Sequence, residues 1–140
     1  MSWTSPPVIA TGALVTAAMW NANFSYLYDS GWITLVAASS GYTNSWVSNN
    51  GPATGGTAAG LRQIGNVVRL GGNIKGGATA TVALTLLAAY RPKYDSYLPA
   101  NVPLTTSAVA QLEVNVTGVC TVYFTSGSYF SLEGMTYTVD

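Results

Sequence analysis

From residue 32 onward, apolar and polar positions alternate with a period of two, as half-buried strands require. The pattern is cleanest where Ala110, Leu112, Val114 and Val116 alternate with Gln111, Glu113 and Asn115. Val68, Leu70 and Ile74 alternate with Arg69 and Asn73, and Val82, Leu84 and Leu86 follow on a further strand. Trp32–Val36 predicts the first strand and Leu132–Val139 the last. Val119–Thr125 is apolar at positions of both parities, so the pattern predicts a strand buried on both faces, between the core and a subunit interface. The breaks carry turn chemistry. Gly71-Gly72 predicts a bulge or a close backbone approach, and Gly76-Gly77 and Ser126-Gly127-Ser128 predict turns. Thr117-Gly118 fits a two-residue hairpin, while Pro92, Pro99 and Pro103 divide their stretch into loops. Residues 39–60, rich in Gly, Ser, Asn and Thr, read as a long loop that carries Tyr42, Trp46 and Val47. About seven or eight short strands without an internal repeat imply an all-β domain over residues 32–140, a β-sandwich of jelly-roll-like topology.

The chain before residue 32 follows another pattern. Residues 1–12 read as an extended arm, because Pro6-Pro7 fits neither a helix interior nor a central strand. Its apolar residues Trp3, Val8 and Ile9 call for a partner surface, the alternative being a frayed terminus. Residues 13–31 read as a short helical neck. Thr16 caps a helix over about residues 17–28, and Trp20, Phe24, Leu27 and Tyr28 form its apolar stripe. A helix this short needs tertiary packing, either on the β domain or against copies of itself. Ser30-Gly31 ends it.

Charge sharpens the picture. Five Lys+Arg against five Asp+Glu give zero formal net charge, and only 7% of the 140 residues are charged, against about 25% in an average soluble domain. A surface so poor in charge favours burial in an oligomer. The neutral balance lacks the basic footprint of nucleic-acid or anionic-membrane binding. The run Val8–Met19 is too short to span a bilayer, and Met1–Pro7 lacks the basic segment of a signal peptide. The single cysteine, Cys120, forms no intrachain disulfide, which suits assembly in a reducing cytoplasm.

With no histidine in the chain, His-based triads and His-containing metal sites are excluded. Cys120 lies in an apolar strand and reads as a core thiol. The carboxylates Asp29, Asp95, Glu113, Glu133 and Asp140 are scattered, although Glu113 and Glu133 fall on predicted strands that could be neighbours. The glycine-rich stretch Gly71–Gly77 lacks phosphate-loop spacing. The chain is expected to be non-enzymatic and to need no metal or cofactor.

Several segments resemble one group of proteins. The stretch Leu61–Gly77 is similar to a strand pair in the C-terminal head domains of tailed-bacteriophage tail-fibre and minor tail proteins. Leu86-Leu87-Ala88-Ala89-Tyr90-Arg91-Pro92 resembles their apolar-Pro-Ala-Gly-Tyr-Arg-Pro segment, with Ala88-Ala89 where they have Pro and a small residue. Leu132-Glu133-Gly134-Met135-Thr136-Tyr137 resembles their closing strand, and Gly12–Asn21 their opening Val-Thr-Ala-Ala-x-x-Asn segment. The resemblance implies a trimeric head on a helical neck, exposed on the virion and contacting host-cell saccharide. The arm would attach it to other phage virion proteins. Those proteins carry a long shaft, whereas this chain has barely a neck. A capsid decoration or head-fibre role is therefore the alternative, and a carbohydrate-active depolymerase is a second one. No family binding residue carries over. The residues themselves offer Tyr42 and Trp46 as ligand candidates, since large aromatics in a polar loop can stack on sugar C–H faces while Asn44, Ser45, Asn49 and Asn50 bond hydroxyls. The alternative is that Trp46 plugs the loop from beneath.

Overall fold

The computed structural model describes residues 28–51, 58–100, 110–124 and 129–139. Trp3, Val8 and Ile9 of the arm and Trp20, Phe24 and Leu27 of the neck lie outside the described residues, as does the turn expected at Ser126-Gly127-Ser128. Of the helix expected over residues 17–28 only Tyr28 is described, and residues 29–31, expected to follow its end, are not helical. Asp29 bridges to Ile64, and the Ser30 amide donates to the Gln63 carbonyl at 2.9 Å.

The described residues form three antiparallel sheets, with strands numbered in chain order. The first sheet runs β1 (Ile33–Thr34), β4 (Gly60–Ile64), β5 (Val67–Gly71), β12 (Thr136–Thr138). The second runs β2 (Ser39–Tyr42), β7 (Thr81–Leu86), β10 (Val119–Phe124), β9 (Ala110–Val114), β8 (Ser96–Pro99). The third runs β11 (Tyr129–Ser131), β6 (Asn73–Lys75), β3 (Val47–Asn50). Leu70 and Ile74 face Leu84, Leu112 and Cys120 of the five-stranded sheet across a void of about 10 Å³. The fold is thus an all-β sandwich. Leu61, Val68, Leu86, Val114, Val122 and Phe130 complete one fully buried core, each side chain contributing about 1.5–3 kcal/mol.

Strand β9 behaves as its pattern predicts, with Ala110, Leu112 and Val114 buried and Gln111 and Glu113 facing outward. Elsewhere tertiary contacts override the local reading. The first strand stops at Thr34, because Leu35–Ala38 turn the chain into the opposite sheet, the Ala38 amide donating to the Thr34 carbonyl at 3.0 Å. The long loop at 39–60 instead contains β2 and β3 and the first residue of β4. Their Ser, Gly and Asn residues have weak strand preference, and pairing with β7 and β6 supplies what propensity lacks.

Gly71-Gly72 is not a bulge within one strand. Gly72, at φ 85°, hands the chain from β5 in one sheet to β6 in another. Its amide donates to Glu133 Oε1 at 2.8 Å, which ties the corner down. Pro99 does not break its stretch into loop, since it ends the edge strand β8, where a missing N–H is tolerated. Leu132–Val139 divides into a turn followed by β12, with the Met135 amide donating to the Leu132 carbonyl at 3.3 Å. Within the single chain, strand β10 buries Cys120 and Val122 on its core face, and Tyr123 on the other face, the one expected at a subunit interface, is exposed.

The segment that resembles Tyr-Arg-Pro has a mechanical role. A single 3-10 turn, Ala88–Tyr90, follows β7. The Tyr137 hydroxyl donates to the Tyr90 carbonyl at 2.8 Å, Arg91 Nε donates to the Leu86 carbonyl at 3.2 Å, and Pro92 is buried. The motif therefore joins the end of β7 to β12 across the sandwich.

Asp29 is held by two guanidinium nitrogens of Arg62, Nε at 2.9 Å and Nη2, and by the Gly31 amide at 2.9 Å. These contacts depress its carboxyl to about 2. Because the folded-state value is lowered, the stabilisation is complete above the ordinary value of 3.8 and is lost as pH falls toward 2. Asp29→Asn should flatten the loss of stability between about pH 4 and pH 2 in urea titrations. The effect is expected to be small, since both partners are solvent-accessible.

Candidate functional site

Trp46 does not present its indole from a polar loop. Asn44 and Ser45 take left-handed backbone angles, φ 51° and 65°, and turn the chain back on itself. Thr43 Oγ1 and Asn44 Nδ2 both donate to the Val82 carbonyl, at 2.9 and 2.8 Å, which pins the turn to β7. The indole then enters the core at 3% exposure. Its Nε1 donates to Thr81 Oγ1 at 2.9 Å, and its ring meets Phe124 edge to face at 6.1 Å and 80°. The Gly77 backbone lies so close that any β-carbon there would overlap the indole. One edge of Trp46 reaches a cleft of about 240 Å³ with Lys75, Gly76, Phe124, Tyr129 and Phe130. Tyr42 ends β2 opposite Leu84 and packs half-buried against the core. Burial pushes its phenol up to about 12, with the Ser48 hydroxyl opposing in smaller part. The Asn44 amide, considered above for hydroxyl binding, is spent on the Val82 carbonyl.

The outward face of the five-stranded sheet presents another arrangement. Register places Tyr97 of β8 directly opposite Glu113 of β9, and Gln111 of β9 directly opposite Tyr123 of β10. Cross-strand and diagonal neighbours on one face are within reach of long side chains. The four residues accordingly line one shallow cup of about 330 Å³. The Tyr123 hydroxyl donates to Glu113 Oε2 at 3.1 Å. Donation to that carboxylate, with Tyr97 also nearby, raises the Tyr123 phenol above its ordinary value. Tyr97 is 59% exposed and Tyr123 38%, so both rings are open to solvent. The two tyrosines stand on strands β8 and β10, which β9 separates by about 9–10 Å, and the register offsets them by two residues along the strands. The cup thus offers two aromatic rings, one carboxylate acceptor and one amide that both donates and accepts.

Sequence reasoning missed this cup. Gln111 and Glu113 read only as the solvated side of a strand, Tyr97 lay in a stretch assigned to loops, and Tyr123 in a strand assigned to burial. The available signal was the shared parity of Gln111, Glu113 and Tyr123, which needed β8 and the register to become a site.

The other groups with chemical potential are held elsewhere. Cys120 is buried and burial pushes its thiol up to about 12, far from a reactive thiolate. Glu133 bonds the Gly72 corner while Glu113 sits on the five-stranded sheet, so they do not form a pair. Among the described residues no group of three His, Cys, Asp or Glu side chains is placed to hold a metal ion. No helix there is long and apolar enough to cross a membrane.

No family model matches the sequence, and no curated protein is similar to it. Among solved structures, the crystal structure of the receptor binding protein (gp15) of Listeria phage PSA superposes with a TM-score of 0.62. The match covers 96% of this chain and 89% of that one at 17% identity. The chain shares its fold with that protein. At that identity the likeness establishes the sandwich and its connectivity. The cup, the Trp46 cleft and their chemistry rest on this chain's own residues.

Proposed function

We propose that this chain is a surface protein of a tailed-phage particle, the receptor-binding head through which the particle contacts host-cell saccharide. The observation that carries the reading is the near end-to-end match to a phage receptor-binding protein. The scattered resemblances to tail-fibre head domains point the same way. In this reading the chain is a trimer, residues 13–31 form its neck, and residues 1–12 attach it to other virion proteins. The reading is one of binding. The cup contains one carboxylate, Glu113, whereas glycoside hydrolysis requires a pair at defined separation. Trimers carried in several copies per particle allow weak single contacts to serve adsorption.

The purified chain, added to host cells before the phage that encodes it, should reduce adsorption in a concentration-dependent way. Antibody against the chain should label tail tips in negative stain. Unimpaired adsorption at saturating protein, with label spread over capsids, would reject the receptor-binding reading in favour of capsid decoration.

A further inference from the structure

We infer that the cup of Tyr97, Gln111, Glu113 and Tyr123 is a saccharide site selective for uncharged or amino-bearing pyranoses, and that Glu113 is the residue that turns acidic glycans away. This rests on the receptor-binding reading and adds to it a location and a charge preference. Two exposed tyrosine rings flank one carboxylate and one amide on a sheet face whose strands are fixed by continuous pairing. A pyranose presents apolar C–H faces carrying slight positive charge and a rim of hydroxyls. The C–H faces suit the negative face of a phenol ring, and the hydroxyls suit an acceptor and an amide placed between the rings. Preformed strands keep the ordering cost of binding low.

Charge decides which sugars enter. Among the described residues Glu113 is the only carboxylate lining the cup, and the hydrogen bond from Tyr123 keeps it there. The chain's five cations, Arg62, Arg69, Lys75, Arg91 and Lys93, all lie off β8, β9 and β10. Asp95, just before β8, adds a second negative charge near its start, where it accepts from the Val116 amide at 2.8 Å. No cation is among the described residues lining the cup, and the nearest along the chain, Lys93, stands outside it before β8, over the Tyr94 ring, so a ligand carboxylate or phosphate in the cup would meet like charge first. A sugar amine would instead gain an acceptor.

The test uses the full chain on a printed array of hexoses and short oligosaccharides in neutral, amino-bearing and acidic forms, including glucose, N-acetylglucosamine, glucosamine and glucuronate. Neutral or amino spots should bind and their acidic counterparts should not. Tyr97→Ala should reduce that signal about ten-fold with an unchanged melting temperature, since Tyr97 is exposed on an edge strand. Glu113→Gln should raise the acidic signal about five-fold, and Glu113→Lys should move the preference to acidic spots. Absence of signal on every neutral and amino spot overturns the proposal. So does a wild-type preference for acidic spots, or a Tyr97→Ala protein that binds as the wild type does. Adsorption blocking is a separate readout. If the chain blocks adsorption while the array result is negative, the cup assignment fails and the receptor-binding reading stands.

Discussion

Replacing Trp46 by Ala is expected to destabilise the fold by about 3–5 kcal/mol, the range for deleting a large buried aromatic. At 3% exposure the indole is enclosed, and its removal leaves a cavity beneath the Thr43–Trp46 turn. Three contacts go together: the hydrogen bond to Thr81 Oγ1, the edge-to-face contact with Phe124, and the packing on the Gly77 backbone. The Gly77 backbone cannot close the gap without drawing β6 out of its pairing with β3 and β11. Thermal unfolding should shift by about 10–20 °C for a domain of this size. A protein that melts normally while losing host adsorption would instead give Trp46 a binding role. Urea unfolding and adsorption measured on the same preparation separate the two results.

Gly118→Ala is expected to destabilise by about 3 kcal/mol, from two costs of different origin. The chain at Gly118 adopts φ 86°, which a residue with a β-carbon reaches only at an energetic cost. The new β-carbon would also meet the Leu86 carbonyl oxygen at 2.8 Å and Arg91 Cγ at 2.9 Å. The Leu86 carbonyl already accepts from Arg91, and the Leu86 amide donates to the Gly118 carbonyl at 2.8 Å. Relief therefore requires opening the junction of β7, the β9–β10 turn and the Tyr-Arg-Pro segment at once. Equilibrium denaturation should show the loss. Asn115→Ala, which removes the side-chain acceptor for the Thr117 and Val119 amides in the same turn, should cost less, about 1 kcal/mol. Equal losses in the two variants would mean that turn hydrogen bonding, not the crowded glycine, controls this corner.

The same turn illustrates how local signals mislead. Thr117-Gly118 reads as a two-residue hairpin, yet the observed turn runs from Asn115 to Gly118, with the Gly118 amide donating to the Asn115 carbonyl at 2.8 Å. Glycine marked the place where a left-handed residue was needed but not its position in the turn. Trp46 follows the other reading of its loop, the plug from beneath. Its neighbours are the composition of a loop, and the turn they form exists to deliver a large ring into the core.

Period-two alternation determined β7 and β9, and with them the all-β class, because side chains on a strand point to opposite faces whatever surrounds them. The absence of histidine excluded its chemistry, because no fold restores a missing functional group. Cys120 was legible as a core thiol from its apolar neighbours. Pairing partners were not legible, because a hydrogen-bonded ladder is made with backbone atoms that every residue shares. Only the tertiary structure decided that weak strand formers at 39–50 pair with β7 and β6, that Gly72 passes the chain between sheets, and that a Pro-flanked segment becomes the edge strand β8. The cup depended on the same decision: Tyr97, Gln111, Glu113 and Tyr123 lie up to 26 positions apart in the chain, and the register of three strands brings them onto one face.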